Sequence, residues 1–441
     1  MKAINIEPSD IEAIYDGLNH IGALGDTPEA GFNRPAYSNA ETDAMQHIES
    51  LANAENLNAR WDTVGNLIIE TPGNFSEWIE TGSHIDTVSG GGNFDGTAGV
   101  VAGLAVLQKV QCSGMSLNKG LRLRVWRGEE SAAFGVVSIG SRAAFGNVTS
   151  NELEATHRGQ PLADAIRTQN VGPEPIRQGI PSITDNERDT IAAHIELHIE
   201  QGAVLESNQA DIGIVTGIRG SIRSWVKLRG AFDHSGATPM GRPYRCDVNL
   251  AMAYMQVALD KLAQQAIAEG EDIVQTVGVI NCNPDSDFIT PSVTSNEMTK
   301  VSGTGYFSHE VRSVSSEFCD SFTNIAFAIM KKIGGDHGVS VEIDTISKSP
   351  GIPKLDPALQ TLAKSACQQL NLNYKQLPSG AWHDAAVLCS VKRSDGSAIP
   401  VGMLFIPCRN GISHSADEFS SPQQIAVGAS TLAHMMISLA G

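Results

Sequence analysis

The sequence lacks the features that mark a disulfide-rich, membrane-spanning or exported protein. Its seven cysteines are an odd number and include no C-x-x-C pair, so they predict neither a disulfide framework nor a thiolate zinc site. No run of 18 apolar residues occurs, which argues against a transmembrane helix. The N-terminal segment has no apolar stretch typical of a signal peptide. We therefore expect a cytoplasmic protein with reduced thiols.

Positive charge is also scarce. There are 31 Lys and Arg residues against 49 Asp and Glu residues, a formal net charge of −18. Such a field repels polyanions, and no Lys/Arg cluster is long enough to override it locally. We expect a small-molecule substrate, with neither nucleic acid nor a membrane as partner.

The chain is too long, at 441 residues, for one compact core, so two domains are expected. The first half alternates strands with helices, which is the α/β pattern. Strands are predicted at 66–70, 76–82 and 121–126, and helices at 8–24, 40–56 and 97–110.

The segment 213–348 has a different rhythm. Its predicted strands are 222–230, 273–281, 298–312 and 339–346, and its predicted helices are 247–268 and 317–333. This β-α-β-β-α-β order is the ferredoxin-like plan. The α/β rhythm then returns, with a helix at 357–370, a strand at 403–406 and a last helix after Pro422. We predict a discontinuous domain, 1–212 with 349–441, that carries 213–348 as an insertion.

The stretch TGSHIDTVSGGGNFDGTAGV, residues 81–100, carries the first candidate site. His84 and Asp86 share one face of a strand end, and a glycine-rich loop follows them and leads to Asp95. Polar residues at the carboxyl end of a strand are where α/β proteins place their sites. His84 and Asp95 suit one metal ion or the start of a pair; the alternative is a solvated turn capped by Asp95.

Two further segments are acidic or rich in histidine. Glu129 and Glu130 are adjacent at a strand end and point in different directions, so one can bind metal while the other handles a proton. A surface acidic pair is the alternative. In residues 194–200, His194, Glu196, His198 and Glu200 alternate with apolar residues along one strand face. Such a face is costly to bury without a cation, although an exposed edge strand would also tolerate it.

Three more histidines lie beside turns. They are His234, His383 and His414. His414 lies among small and polar residues, as a ligand in a loop would. Each of the three, taken alone, is more often a structural or solvated histidine than a functional one.

Together these segments resemble the zinc amidohydrolases that include N-carbamoyl-L-amino-acid hydrolases, β-ureidopropionases and allantoate amidohydrolases. These are relatives of the co-catalytic two-zinc aminoacylases and carboxypeptidases. The likeness runs in order through GFNRPAYS, GSHIDTV, Glu-Glu, HIEQG, HSGATPM and GISHSADE. It implies an α/β fold: a mixed-sheet di-zinc exopeptidase-like catalytic domain with an inserted ferredoxin-like α+β lid. The lid would also be the surface of a homodimer.

The resemblance also implies two divalent cations per subunit, Zn²⁺ first, with Mn²⁺ or Co²⁺ as alternatives. The implied ligands are His84, Asp95, Glu130, His198 and His414, with Asp95 shared between the two ions. Asp86 would orient His84 from behind. Glu129 would be the general base that activates water and later passes the proton to the leaving nitrogen.

The same likeness assigns the substrate contacts. His234, often supplied in this family by the partner subunit, would stabilise the tetrahedral oxyanion. Gln201, Thr299, Arg312 and His383 match substrate-binding positions. Arg312 would clamp a substrate carboxylate, for which a planar bidentate donor is well shaped.

Several positions depart from the family pattern. Ala133 replaces the arginine of E-E-G-x-R-F, Thr299 replaces an asparagine, and Trp382 replaces a glycine. Glu310 replaces the aspartate of D-x-R. The implied metal set is intact while parts of the substrate shell differ.

The resulting hypothesis is a metal-dependent amidohydrolase that cleaves a linear amide C–N bond. The implied substrate is an N-carbamoyl (ureido) amino acid or a similar small carboxylate. The alternative enzyme is a dipeptidase or N-acyl-amino-acid hydrolase with the same two metals. A non-catalytic binding protein on a hydrolase fold is a third reading, but it predicts a lost ligand or base, and all six positions are filled.

Overall fold

A computed structural model describes residues 4–25, 30–280 and 297–441. The chain forms two compact units, the first made of Met1–Thr216 with Leu355–Gly441 and the second of Gly217–Lys354. The boundaries predicted from sequence, 212/213 and 348/349, lie a few residues earlier. No helix in the described ranges combines the length and apolarity needed to cross a membrane.

The strands, in chain order, are β1 (Asn58–Trp61), β2 (Leu67–Glu70), β3 (Trp78–His84), β4 (Gly120–Trp126), β5 (Thr156–His157), β6 (Gln160–Pro161), β7 (Ile191–Ile199), β8 (Ile212–Ile218), β9 (Gly220–Arg229), β10 (Asp233–His234), β11 (Val274–Thr276), β12 (Lys300–Val301), β13 (Thr304–Ser313), β14 (Ser340–Ser349), β15 (Tyr374–Ser379) and β16 (Val401–Ile406).

The helices, in chain order, are α1 (Pro8–Leu18), α2 (Asn39–Ala54), α3 (Thr97–Ser113), α4 (Ile139–Ala144), α5 (Leu162–Thr168), α6 (Pro173–Arg177), α7 (Asp185–Asp189), α8 (Val204–Ser207), α9 (Val248–Ala268), α10 (Ser316–His337), α11 (Pro357–Gln369), α12 (Asp384–Cys389) and α13 (Pro422–Ala440).

The first unit is built on an eight-stranded sheet in the order β1-β2-β4-β3-β7-β16-β8-β15. Strands β4, β3, β7 and β16 run parallel to one another, whereas β2 and β8 pair with them antiparallel. The predicted mixed α/β sheet is therefore confirmed. The register pairs His84 with Trp126 and His198 with Phe405, so the four parallel strands end close to the same level.

The two faces of this sheet differ in polarity. One face buries apolar side chains such as Ile79, Leu123 and Ile195 in the core with α3 and α13. Helix α3 packs very closely here, because a Cβ at Gly99 would overlap the carbonyl oxygen of Leu197. The other face carries buried polar residues. Strand β7 lies between β3 and β16 with its polar side chains buried, which rules out the exposed edge strand.

The second unit has a four-stranded antiparallel sheet in the order β11-β13-β9-β14. Helices α9 and α10 pack on one face over a core that includes Val226, Met255 and Phe307. With the short pair β10–β12 set aside, the elements follow one another as β-α-β-β-α-β.

Some element boundaries differ from those predicted. The predicted strand 298–312 is broken into β12 and β13 because the chain turns at Gly303, whose carbonyl accepts the Gly230 N–H. The predicted strand 273–281 contributes only β11, and its last residue, 281, lies outside the described residues. The predicted helix 8–24 stops at Leu18, because the chain then turns through Gly22 in a left-handed conformation.

Candidate metal centre

The carboxyl ends of the parallel strands gather the predicted metal ligands of the first unit. We call His84, Asp95, Glu130, His198 and His414 the histidine–carboxylate cluster. One ligand atom from each of His84, Asp95 and His198 lies within 4.8 Å of the other two, and the same holds for Asp95, Glu130 and His414. Asp95 belongs to both triads, as a residue shared between two ions must.

Asp95 lies in the loop that enters α3, and its two carboxylate oxygens face different partners. Its Oδ1 is 3.1 Å from His198 Nε2 and 3.8 Å from His84 Nε2. Its Oδ2 is 3.1 Å from His414 Nε2. The next residue must be glycine, because Gly96 has a φ of 62° and a Cβ there would overlap the His84 ring.

The two buried histidines are held with their Nε2 atoms toward Asp95. His84 Nδ1 is 3.1 Å from the Asp86 carbonyl oxygen and 3.3 Å from its carboxylate. His198 Nδ1 is 2.9 Å from the Ile199 carbonyl oxygen. Because these oxygens can only accept, each Nδ1 carries the hydrogen. Each Nε2 is therefore left facing a carboxylate, an arrangement that a proton or a metal cation makes favourable.

The second triad is completed from a loop after β16. His414 Nε2 lies 3.0 Å from Glu130 Oε1 and 3.1 Å from Asp95 Oδ2. Because the protonated ring can donate to these two carboxylates, the pKa of His414 is raised to about 10. His414 and Gln201 both have a φ of 56°, a left-handed conformation uncommon for residues other than glycine and typical of functional sites.

The cluster is short of positive charge. Among the described residues, no Lys or Arg lies within 4 Å of the carboxylates of Asp86, Asp95, Glu129 or Glu130. Burial opposes ionisation of Asp95, but hydrogen bonds with His198 and His414 hold its pKa well below the ordinary value. Imidazole nitrogens and carboxylate oxygens without thiolates form a donor set that suits Zn²⁺, and the residues therefore fit divalent metal ions.

Asp86 and Glu129 lie directly behind the ligands. The Asp86 carboxylate accepts the backbone N–H groups of Glu129 and Glu130, both at 3.0 Å, in addition to its contact with His84. It thereby fixes the peptide that carries both glutamates. The Glu129 side chain is buried, and burial, together with nearby carboxylates, raises its pKa well above the ordinary value.

Sequence reasoning gave no role to Glu418. One of its oxygens accepts the backbone N–H groups of Phe94 and Asp95, at 3.0 and 2.9 Å. The other accepts the Ser413 hydroxyl at 2.9 Å. Glu418 thus ties together the loops that carry Asp95 and His414. Its spacing of four residues after His414 was the only signal of this role in the sequence.

Two predicted substrate contacts of the first unit are engaged with protein atoms. The Gln201 side-chain amide donates to Asp95 Oδ2 at 2.7 Å. The buried His383 ring packs edge-on against His198, and its Nε2 is 2.7 Å from the Ser379 hydroxyl. Burial and the neighbouring His198 keep the pKa of His383 well below its ordinary value.

A third group of possible ligands, Glu196, His198 and His383, also lies within 4.8 Å. Here, however, protein donors already occupy both oxygens of Glu196, namely the Ser83 hydroxyl and the Ala385 N–H. Asp384, which sequence reasoning did not single out, accepts the Ser141 hydroxyl, and burial raises its pKa to about 7. Glu200, the residue after β7, accepts the first N–H groups of α8.

The remaining predicted residues belong to the second unit. His234 is exposed, and its Nδ1 accepts the N–H groups of Gly236 and Ala237 at 3.0 and 3.1 Å. The Thr299 carbonyl accepts the Ser235 N–H, so Thr299 and His234 lie side by side. Arg312 is near the far end of β13, where it donates to Glu310.

The structure shows the surroundings of two residues that depart from the family pattern, Ala133 and Trp382. Ala133 lines a cavity of about 50 Å³ that Glu130 also lines. Trp382 is half-buried, and its indole N–H has no hydrogen-bond partner among the described residues.

Comparison with known proteins relates this chain to one protein family. The sequence model of peptidase family M20/M25/M40 matches residues 62–438. The chain is 30% identical to the N-carbamoyl-L-amino acid amidohydrolase of Geobacillus stearothermophilus, over 97% of this chain and 98% of that one. It is also 30% identical to the allantoate amidohydrolase of Escherichia coli K12, with the same coverage.

Solved structures agree with this similarity. A hydantoinase/carbamoylase family amidase from Burkholderia multivorans superimposes with a TM-score of 0.82 at 25% identity, over 99% of this chain and 98% of that one.

Proposed function

The chain belongs to peptidase family M20/M25/M40, and on this premise we propose that it hydrolyses the amide C–N bond of a ureido compound. The substrate class that fits best is an N-carbamoyl amino acid or a similar small carboxylate. The observation that carries the proposal is the pair of ligand triads joined by Asp95, with the buried Glu129 beside them. The named relatives support the choice of ureido substrates over peptides.

The ligand set supports two divalent cations per subunit, with Zn²⁺ proposed first and Mn²⁺ or Co²⁺ as alternatives. His84, His198 and Asp95 would hold one, and Asp95, Glu130 and His414 the other. When bound, the cations supply Lewis acidity that polarises a carbonyl and acidifies water. Asp86 would keep His84 in the required tautomer.

Glu129 is the proposed general base. It would take a proton from the attacking water and deliver it to the nitrogen that leaves when the C–N bond breaks. Burial raises the pKa of Glu129, which makes its carboxylate a stronger base for accepting that proton. For an N-carbamoyl amino acid the products would be the amino acid, CO₂ and ammonia.

His234 is the proposed donor to the tetrahedral oxyanion. Because its Nδ1 accepts two backbone N–H groups, the ring hydrogen of the neutral form is on Nε2 and points away from its own turn. Such a preset donor needs no reorganisation when the negative charge develops.

The layout of the second unit supports a homodimer in which this unit also serves as a lid. His234 pairs with Lys300, before the start of β13, while Arg312 lies near its other end. Arg312 comes eight residues after Thr304 along the strand, a distance of roughly 27 Å. One small substrate cannot contact both side chains of one chain, so Arg312 would bind its carboxylate while the partner subunit supplies the oxyanion donor. The exposed apolar residues Leu250, Tyr254 and Val257 on α9 offer a surface for such contact.

The test is ammonia release from a panel of N-carbamoyl α- and β-amino acids and allantoate. Metal-loaded protein would be compared with chelator-treated protein and with the Glu129→Gln variant. We expect chelator-sensitive release from at least one ureido compound. If no ureido compound releases ammonia while a parallel assay for free amino acid shows cleavage of dipeptides or N-acetyl amino acids, the alternative hydrolase activity is correct and the ureido proposal is wrong.

A further inference from the structure

The first unit contains a cavity away from the histidine–carboxylate cluster. None of the five residues of that cluster lines it. Its volume is about 520 Å³, within the range of small-molecule sites. It lies between α1, the loop at residues 92–94 and the segment 416–425 that leads into α13. Its lining residues include none of those that the proposed hydrolysis uses.

The walls of this cavity are aromatic. Tyr15, Phe32, Phe94 and Phe419 all line it. The Phe94 ring centroid is 5.6 Å from that of Tyr15 and 5.5 Å from that of Phe419. The Phe94 plane is inclined by 43° to Tyr15 and by 75° to Phe419, so an aromatic ligand would meet the face of one ring and the edge of another.

The polar groups of the cavity favour a donor or a cation. The Asn93 side-chain oxygen has no hydrogen-bond partner among the described residues, although the side chain is buried and its nitrogen donates to Asn19. The hydroxyl of the buried Tyr15 is likewise unpartnered in the described chain. An unsatisfied buried acceptor is costly, and because the Asn93 oxygen has no accessible surface, a ligand N–H would satisfy it once the side chain turned toward the cavity.

The charges point the same way. Three carboxylates, those of Glu12, Asp16 and Glu418, line the cavity, against one guanidinium, that of Arg409. Arg409 is already engaged, stacked 4.9 Å over the Phe419 ring and donating to the Asp417 carbonyl. The lining therefore carries more carboxylates than guanidiniums, and this excess favours a cationic ligand over an anionic one. Aromatic rings strengthen that preference through cation–π contact.

Glu418 connects the cavity to the metal centre. The same carboxylate that borders the cavity holds the Phe94–Asp95 backbone on one side and Ser413 on the other. Phe94 is a cavity wall, and the residue after it is the shared ligand. A ligand that packs on Phe94 and Glu418 therefore acts on the two loops that present Asp95 and His414.

We propose that this cavity binds a flat aromatic cation, and that its binding is coupled to metal binding through Glu418. Coupling between two sites is reciprocal, so metal must change the affinity of the aromatic ligand by the same factor by which that ligand changes metal affinity. The proposal holds whichever amide the chain cleaves.

The binding test uses two probes of equal shape and opposite charge, tryptamine and indole-3-acetate, titrated calorimetrically into the metal-loaded full chain. We expect tryptamine to bind at one site and indole-3-acetate to bind at least about tenfold more weakly. The variant Glu12→Gln/Asp16→Asn should weaken tryptamine by about fivefold. The matched variant Asp43→Asn/Glu49→Gln, with the same charge change on α2, should leave it unchanged. Equal binding of both probes, no binding of either, or equal effects of the two variants would overturn the site.

The coupling test repeats the tryptamine titration on chelator-treated protein. We expect its affinity to differ from that of the metal-loaded protein by about fivefold or more. In the Glu418→Gln variant the difference should shrink, while the circular dichroism spectrum reports that the fold is retained. Equal tryptamine affinity in the loaded and chelated wild-type protein would refute the coupling and leave the cavity as an independent binding site.

Discussion

One face of the eight-stranded sheet carries two buried polar clusters at its opposite ends. The two clusters differ in how their buried charges are balanced. Toward the amino ends of β3 and β4 lies an ion-pair cluster made of Glu80, Arg122, Arg124 and Glu187. Arg122 and Arg124 reach Glu80 at 2.6 and 2.9 Å, and Arg124 also reaches Glu187 at 2.9 Å. At the carboxyl ends lies the histidine–carboxylate cluster.

The two clusters differ in their charge balance. Burial opposes the ionised form of Glu80, but Arg124 and Arg122 hold its pKa well below the ordinary value. Glu70 and Arg60 extend the same network at its edge, so three guanidiniums balance three carboxylates there without any ligand. The histidine–carboxylate cluster has imidazoles in place of guanidiniums, and burial raises the pKa of the adjacent Glu129. A deficit of fixed positive charge, rather than burial or polarity, therefore distinguishes the end that we propose binds cations.

The largest effect is expected from Asp95→Asn, which removes the carboxylate that both triads share. Metal affinity should fall by more than the roughly 100-fold that loss of an outer partner costs, and hydrolysis should become undetectable. Metal content by mass spectrometry after gel filtration checks this. Asp86→Asn is the matched control, with an expected loss of about 10- to 100-fold in metal affinity. If Asp95→Asn retained two full equivalents of metal, metal binding would not depend on the shared carboxylate, and the proposed difference between the two clusters would be wrong.

The next effect separates holding metal from moving a proton. Glu129→Gln should keep both metal equivalents and the melting temperature, yet lose about 10²- to 10⁴-fold in kcat, the usual contribution of a general base. Glu129 donates no predicted ligand atom, so its removal leaves both triads intact. A variant with near wild-type kcat would exclude Glu129 as the base.

The sequence predicted most of what depends on local pattern. Alternation along 194–200 placed His194, Glu196 and His198 on one face, and the structure has all three buried on the polar side of the sheet. Alternation does not tell which of them is free to bind, because that depends on distant donors. Glu196 is occupied by Ser83, 113 residues away, and by Ala385, 189 residues away.

The same limit explains the residues that were missed. Glu418 contacts Phe94 and Asp95, which lie more than 320 residues away in the sequence. The residues next to Glu418 in the sequence do not indicate those partners. The break between β12 and β13 was missed for a similar reason. It depends on the bond from Gly230 to Gly303, a tertiary contact that strand propensity does not contain. Local pattern therefore predicted the elements and their polar faces, while tertiary contacts decided what each polar group does.

The third prediction concerns the ion-pair cluster at the amino ends of β3 and β4. Glu80→Gln leaves Arg122 and Arg124 buried with part of their negative partner removed, so the free energy of unfolding should fall by about 3–5 kcal/mol. Metal content should not change, because Glu80 is no part of either triad. Urea unfolding checks the first claim and metal analysis the second. Loss of metal at unchanged stability would show that the two ends of the sheet face are not independent.

The smallest effect concerns a buried histidine that has neither arginine nor carboxylate beside it. His309, on β13 in the second unit, is buried with no hydrogen-bond partner for either ring nitrogen among the described residues. Burial lowers its pKa from 6.5 to about 4, whereas contact with Asp86 raises that of the equally buried His84. A partner carboxylate thus decides whether a buried imidazole holds a positive charge.

The pH dependence of stability follows from that shift. The unfolded chain binds a proton at His309 below about pH 6.5 while the folded chain resists it until about pH 4, so stability is lost as the pH falls through this window. The loss should be about 3 kcal/mol, given about 1.4 kcal/mol per pKa unit. His309→Leu should remove this part of the acid sensitivity and change little at pH 7. Hydrogen exchange of the β13 amides at pH 7 and pH 4.5, compared between wild type and variant, measures the difference. Equal acid sensitivity in the two proteins would mean that the folded chain protonates His309 as readily as the unfolded chain does, and that burial without a carboxylate does not suppress its charge.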